Sequence, residues 1–137
     1  MQNPPPVQSG KSSTGLDENV ASLIAYIAGW VSGLIFFLIE KNSRLVRFHA
    51  MQSILLNVLY IVVAIVFGII ISILVLVLGM ISNSLATIAS LLSGLLWLVL
   101  IVGIVVVWVL CLVKAYQGVM YKLPIIGDYA EKFSAPK

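Results

Sequence analysis

The stretch EKNSRLVRFHAMQS, residues 40–53, holds three of the eight basic residues of this chain and its only histidine. It lies between two long apolar runs, so charge is concentrated where one apolar segment ends and the next begins. Around it, the 137-residue chain is 61% hydrophobic and only 9% charged. A single domain of this size cannot bury so much apolar surface in its own interior. The composition therefore predicts an all-α, polytopic helical membrane protein.

The apolar runs predict three long transmembrane helices. The first is residues 20–39, which contain no charge and have the length that a bilayer core needs. The second helix, residues 43–78, would be about 54 Å long. Because a hydrocarbon core is about 30 Å thick, we expect an interfacial start to helix two, which leaves residues 50–78 as the span. Residues 79–84 predict a tight hairpin, and residues 85–113 form the third span.

The remaining segments are predicted to lie outside the spans. Residues 1–18 are rich in Pro, Ser, Gly and Gln, which predicts a disordered N-terminal tail. Residues 19–137 form the helical membrane domain, and residues 114–137 are its cytoplasmic tail. Seven basic residues follow the first or third span, whereas Lys11 alone precedes the first. The positive-inside rule then predicts an N-terminus outside the cell and a C-terminus in the cytoplasm.

The first predicted span carries small residues at every fourth position. Gly29 and Gly33 form a G-x-x-x-G pair, and Ala21 and Ala25 continue the spacing. Such residues allow two helix backbones to approach closely in lipid. They indicate either packing against another helix of the same chain, which is favoured, or association between two copies of the chain.

A semi-polar stripe follows the second helix. Its polar groups would be costly in lipid, so the stripe should face protein or water. It is either a path for a solute or a packing seam, in which Asn57 would make an interhelical hydrogen bond worth about 1 kcal/mol. His49 is either a titrating switch or, more commonly, a hydrogen-bonding residue at the membrane boundary. The stripe comprises His49, Gln52 at its edge, Ser53, Asn57, Tyr60, Ala64, Gly68 and Ser72.

Several classes of function are disfavoured. No Asp, Glu, Lys or Arg falls within a predicted span, which argues against a proton pump or an ion-coupled carrier. One cysteine, Cys111, and one histidine do not make a metal site, and we expect neither a cofactor nor catalytic residues. The basic residues lie beside apolar segments, which favours the bilayer and its anionic lipid headgroups as partners and excludes nucleic acid.

Two motifs resemble a known family. KNSRLVRFHAMQSIL at residues 41–55 and KAYQGVMYKLPIIGDYAEK at residues 114–132 resemble the Tic-twenty-like proteins, small prokaryotic membrane proteins grouped with the channel subunit of the chloroplast inner-envelope protein translocon. The resemblance covers roughly residues 16–132. It implies a prokaryotic plasma-membrane protein without known catalysis. The positions that it singles out are Arg44, Arg47, Phe48, His49, Gln52, Lys114, Tyr116, Gln117, Tyr121, Pro124, Gly127 and Asp128.

Three functional hypotheses follow. The first is a non-enzymatic, homo-oligomeric component of a protein-translocation or channel-like assembly. The second is a membrane-embedded interaction or regulatory subunit with another membrane-protein partner, and the third, less favoured, is a small-solute transporter. Both motifs are predicted on the cytoplasmic face, where Asp128 or Glu131 can pair with Arg44 or Arg47. The candidate interface residues are Arg44, Arg47, His49, Gln52, Asn57, Lys114, Tyr116, Tyr121 and Asp128, and the helix-packing residues are Gly29 and Gly33.

Overall fold

The computed structural model describes residues 10–135, so the first nine residues of the predicted disordered tail lie outside the described part of the chain. Within residues 10–135 all regular secondary structure is helical, which confirms the predicted all-α class. The helices are α1 (Glu18–Ile27), α2 (Trp30–Ile39), α3 (Arg44–Ile81), α4 (Asn83–Tyr116) and α5 (Ile126–Ser134). Residues 10–17 contain an isolated bridge between Lys11 and Asp17.

The chain divides into two compact units. The first unit comprises the described residues up to residue 58 together with those from residue 108 onward, and the second unit comprises residues 59–107. The first unit therefore contains α1, α2 and α5 and one end of each long helix. The second unit consists of the central parts of α3 and α4.

Within residues 10–135, two helices are long and apolar enough to cross a membrane. They are α3, with 38 residues, and α4, with 34 residues. Ser82 alone separates them, and its backbone N–H still donates to the Leu78 carbonyl at 2.9 Å. Two long apolar helices in place of the second and third predicted spans are thereby confirmed, but the break between them is one residue long and not the predicted hairpin of residues 79–84. Because almost none of the most apolar part of either helix is buried within the chain, these side chains are available to lipid.

The prediction of one continuous helix over residues 20–39 is wrong. Helix α1 ends at Ile27 and α2 begins at Trp30, since Gly29 adopts a left-handed φ of +63° that a helix cannot continue through. Ser32 Oγ stabilises the break, accepting from the Ala28 N–H and lying 3.1 Å from the Ala25 carbonyl. Each ten-residue helix is about 15 Å long, half of a bilayer core. The described residues therefore contain two long apolar helices, and the short helices α1 and α2 stand in place of the first predicted span.

Helices α1 and α2 fold back on each other and pack on the start of α3. The segment before α1 contacts the end of α2, because the backbone N–H of Ser13 donates to the Glu40 carboxylate at 3.0 Å. The core between them contains Ala21, Ala25, Phe36, Val46 and Ala50. A methyl group added at Gly33 would lie only 2.9 Å from the Ala50 carbonyl oxygen. The small residues thus permit close packing within one chain.

The segments before α1 and after α4 lie in the same unit. Ser13 contacts Glu40 at the end of α2, and Arg47 at the start of α3 donates to the Ser134 carbonyl of α5 at 3.1 Å. This arrangement brings both tails into the first unit. The break at Gly29 allows it, because α2 turns back toward the segment before α1 ahead of the start of α3.

Candidate functional site

Gln52 joins three segments of the chain inside the first unit. Its Nε2 donates to Tyr26 Oη and to the Tyr121 carbonyl, both at 3.0 Å, and its Oε1 accepts from the Leu123 N–H at 3.2 Å. The side chain is fully buried, so every polar atom that it offers is used inside the protein. One residue of α3 thereby fixes α1 and the chain after α4. We call Tyr26, His49, Gln52 and their partners in residues 119–123 the Gln52 network.

His49 completes this network. Its Nε2 lies 2.9 Å from the Val119 carbonyl, and its Nδ1 lies 3.0 Å from Tyr26 Oη. Because a carbonyl only accepts, Nε2 must carry the proton and Nδ1 accepts from the tyrosine hydroxyl. The order of donation is therefore Gln52 to Tyr26, Tyr26 to His49, and His49 to the Val119 backbone. Since the chain of donors ends on a backbone carbonyl, it has no onward acceptor for a transferred proton.

Further polar side chains of the stripe also bond within the chain. Ser53 Oγ donates to the Gly29 carbonyl at 3.0 Å, and Asn57 Nδ2 donates to the Ser53 carbonyl at 2.8 Å. The indole N–H of Trp108 donates to the Tyr26 carbonyl at 2.9 Å, and Cys111 is buried beside the network. In this unit the polar groups of the stripe therefore bond within the chain, and the bond of Asn57 lies within α3 instead of between helices as predicted.

Glu40 stabilises the turn between α2 and α3. Its carboxylate accepts from the backbone N–H groups of Ser13, Asn42 and Ser43 at 2.9–3.0 Å and from Ser13 Oγ at 2.7 Å. The residue is fully buried. Burial acts to raise the pKa of this carboxyl, but the donors from Ser43, Ser13 and Asn42 outweigh it, so the pKa lies below its ordinary value.

Arg47 connects three elements. Its Nη1 donates to the Glu40 carbonyl at 2.8 Å, its Nε donates to the Ser134 carbonyl, and its guanidinium carbon lies 4.7 Å from the centre of the Phe37 ring. The guanidinium therefore closes the C-terminal end of α2 and holds the last turn of α5.

An exposed group of charges joins α3 to α5. Arg44 bonds Glu131 at 3.2 Å, and Lys122 bonds Glu131 and lies 3.9 Å from Asp128. The hydrogen bond from Lys122 lowers the pKa of Glu131, and the same bond raises the pKa of Lys122. The Arg44–Glu131 pair is one of the four pairings that the two motifs allowed.

The remaining sequence candidates lie outside these contacts. Lys114 lies with its Nζ 5.8 Å from the centre of the Tyr121 ring, while the side chains of Tyr116 and Asp128 are exposed. Tyr26, Glu40 and Trp108 were missed from the sequence. Only Glu40 carried a signal, as a lone acid directly before the cap-type residues Asn42 and Ser43. Among residues 10–135, no group of three or more His, Cys, Asp or Glu side chains is arranged to hold a metal ion.

The comparisons with known proteins bear on the two motifs that form these contacts. A family model described as the magnetosome magnetite crystal formation protein family, MamF/MmsF, matches residues 16–130. The chain belongs to this family. The match replaces the Tic-twenty-like resemblance, which was wrong: the motifs at residues 41–55 and 114–132 lie almost wholly within the MamF/MmsF match.

Relatives of this MamF/MmsF chain include archaeal membrane proteins. A UPF0132 membrane protein of Methanocaldococcus jannaschii is 38% identical over 129 residues, which is 91% of this chain and 96% of the relative. A UPF0132 membrane protein of Archaeoglobus fulgidus is 35% identical over 119 residues, 85% of this chain and 95% of the relative. No solved structure matches the chain. Membership of the family and the two long apolar helices agree that this is a membrane protein.

Proposed function

We propose that this chain is a non-enzymatic, membrane-embedded interaction subunit that assembles with copies of itself. The observation that carries the proposal is the Gln52 network. A side chain that lines a solute path must present its polar atoms to the path, whereas those of Gln52 and His49 are buried and bonded within the chain. This geometry favours a folded, rigid membrane component over a conduit.

The archaeal relatives contribute a membrane role to the proposal. They are named as membrane proteins, whereas the family description concerns magnetosome magnetite crystal formation. Residence in a membrane agrees with the two long apolar helices of this chain. That is the property of the relatives that we carry over to it.

The second unit offers the surface for self-association. Within it, α3 and α4 are held together by an edge-to-face contact of Phe67 with Trp97, whose ring centres are 5.3 Å apart. Beside this contact is an uncharged groove of about 510 Å³ whose lining includes Ser72, Ser90 and Gly94. Small residues allow another helix to approach closely in lipid, where packing replaces the hydrophobic effect as the driving force.

Gly94→Leu is expected to weaken self-association about tenfold. A Cβ at this glycine would meet no atom outside its own helix backbone within 4 Å, so we expect the variant to leave the protomer intact while filling the groove. The measurement is Förster transfer between labelled copies in liposomes, at decreasing ratios of protein to lipid.

Gly103→Leu is the matched control for this experiment. Gly103 also meets nothing within 4 Å, but it lies nine residues further along α4, which places it on the opposite face of the helix. Its substitution should leave the transfer efficiency unchanged. If Gly94→Leu associates as strongly as the native chain, the groove is not the interface. If the native chain is monomeric, the proposal of self-assembly is wrong.

We further propose that the chain crosses the membrane twice, with both tails in the cytoplasm. Residues 48–113 contain no Lys, Arg, Asp or Glu, so all eight basic residues lie before residue 48 or after residue 113, at or beyond the outer ends of the two long helices. With α1 and α2 too short to cross separately, the positive-inside rule places both sets of basic residues on the cytoplasmic side. The turn at Ser82 then faces the exterior.

This topology predicts the labelling of single cysteines in intact cells. A membrane-impermeant maleimide should label Ser84→Cys from outside and should label Thr14→Cys or Ala135→Cys only after lysis, because the reagent cannot cross the bilayer. All three positions are exposed, whereas the native Cys111 is buried. The unsubstituted chain therefore measures the background labelling of Cys111. Labelling of Thr14→Cys in intact cells would contradict the arrangement, and with Ala135→Cys still protected it would show an odd number of crossings.

A further inference from the structure

A groove in the first unit combines cationic and apolar walls. It has a volume of about 610 Å³ and is formed by the C-terminal part of α2, the start of α3 and the end of α5. Two cations, Lys41 and Arg47, line it on one side. Its apolar lining includes Phe37, Leu38, Met51 and Phe133. Neither the Gln52 network nor the surface for self-association uses this groove.

The two cations of the groove are not neutralised by carboxylates. Among the acids, Asp17 pairs with Lys11, and Glu131 pairs with Arg44 and Lys122. Asp128 lies near Lys122, and the carboxylate of Glu40 is taken up by backbone N–H groups and Ser13. No acidic side chain lines the groove among the described residues. The groove therefore presents net positive charge.

Arg47 is held ready to bind an anion. Its Nε and Nη1 are bonded to the carbonyls of Ser134 and Glu40, and its plane lies against Phe37, so the side chain is fixed in orientation. Within residues 10–135 these contacts leave Nη2 as the unused nitrogen. A fixed guanidinium with a free donor suits a phosphate oxygen, and little conformational entropy is lost on binding.

The apolar wall of the groove continues into lipid-accessible surface. Leu38 is 67% exposed, and Ile35 and Ile39 on the same short helix are also exposed. A ligand that fits must therefore carry a negative head and an apolar tail. We propose that the groove binds an anionic phospholipid, with its phosphate at Lys41 and Arg47 and an acyl chain along Leu38 and Met51. The site is independent of self-association, so failure of one proposal leaves the other standing.

The test is native mass spectrometry of the detergent-solubilised full chain, titrated with phosphatidylglycerol or with phosphatidylcholine. The native chain should retain phosphatidylglycerol in preference to phosphatidylcholine. Lys41→Gln should weaken this retention about fivefold, the effect of removing one basic residue at an anionic lipid surface. Lys41 is exposed and its side chain makes no hydrogen bond or ion pair within residues 10–135, so the variant should fold normally.

Two further variants separate the groove from general electrostatics. Lys132→Gln removes the same charge from an exposed position of α5 outside the groove and should change retention less than twofold. Met51→Trp keeps both cations but fills the apolar wall, and it should reduce retention if an acyl chain occupies the groove. Millimolar inorganic phosphate should not displace the lipid, because it lacks the tail. Equal retention of both lipids, or equal effects of Lys41→Gln and Lys132→Gln, would overturn the proposal, and displacement by phosphate would assign the site to a free anion.

Discussion

Gln52→Leu is expected to lower the free energy of unfolding by about 3 kcal/mol. Leucine has a similar length but leaves the Leu123 N–H and the Tyr121 carbonyl without their partner, and Tyr26 Oη loses a donor. Because these groups lie in the interior of the first unit, water does not replace the lost bonds. The loss of stability therefore comes mainly from the buried polar groups that are left without a partner, and less from the lost hydrogen bonds of Gln52.

Equilibrium unfolding in mixed micelles measures this effect, with tryptophan fluorescence as the readout. Trp108 donates to the Tyr26 carbonyl, so it reports on the segment that Gln52 holds. Gln117→Leu makes the same chemical change at an exposed position and should cost less than about 0.5 kcal/mol. Similar losses for the two variants would show that Gln52 does not organise the unit.

Glu40→Ala is the second large effect, again about 3 kcal/mol. It removes the acceptor of the Asn42 and Ser43 N–H groups at the turn between α2 and α3, and of the N–H and hydroxyl of Ser13 in the segment before α1. Hydrogen bonds to a charged acceptor are stronger than those between neutral groups, so their loss costs more. Thermal unfolding in detergent, followed by circular dichroism, measures the change.

The same carboxylate makes stability depend on pH. The pKa of Glu40 is lower in the folded chain than its ordinary value, so the unfolded chain takes up a proton first as the pH falls. The stabilisation that the Glu40 carboxylate contributes is complete above the ordinary pKa of a glutamate, about 4.3. It is lost as the pH falls through the pKa of Glu40 in the folded chain. Glu40→Gln, which does not titrate, should remove this part of the acid sensitivity.

Asp128→Asn is the control for the acid effect. Its side chain is 80% exposed and lies 3.9 Å from Lys122, so the contact adds little to stability. The variant should keep the native slope of stability against pH between about pH 5 and pH 3. A slope that changes with Asp128→Asn but not with Glu40→Gln would assign the acid sensitivity to α5 instead.

The long helices could be predicted because their signal is local. An apolar run between cap-type residues is enough to indicate α3, and the only polar break in the following sixty residues predicts the turn at Ser82. The pairing of Arg44 with Glu131 was also among the predicted alternatives, since opposite charges in two motifs on one face can meet.

The break at Gly29 could not be predicted because its stabilising contacts come from elsewhere in the chain. In sequence, Gly29 and Gly33 indicate one face of a continuous helix. In the structure, Ser53 donates to the Gly29 carbonyl from 24 residues away, and a Cβ at Gly29 would lie 3.1 Å from Asn57 Oδ1. Likewise the inward position of Glu40 depends on Ser13, which lies 27 residues earlier. Contacts of this range leave no periodic signal.

The one-residue link at Ser82 bears on how the protein enters a membrane during synthesis. Between Arg47 and Lys114 the chain has no charge, and Ser82 alone separates the two long helices. Translocating charged side chains through hydrocarbon is a large cost of inserting a polypeptide. In the proposed topology the turn that must be carried across, residues 82–84, contains only two serines and an asparagine. The two helices can therefore partition together as one apolar hairpin, with no hydrophilic domain to be exported. Biogenesis of this protein then places little demand on the machinery that moves polar chain across a bilayer.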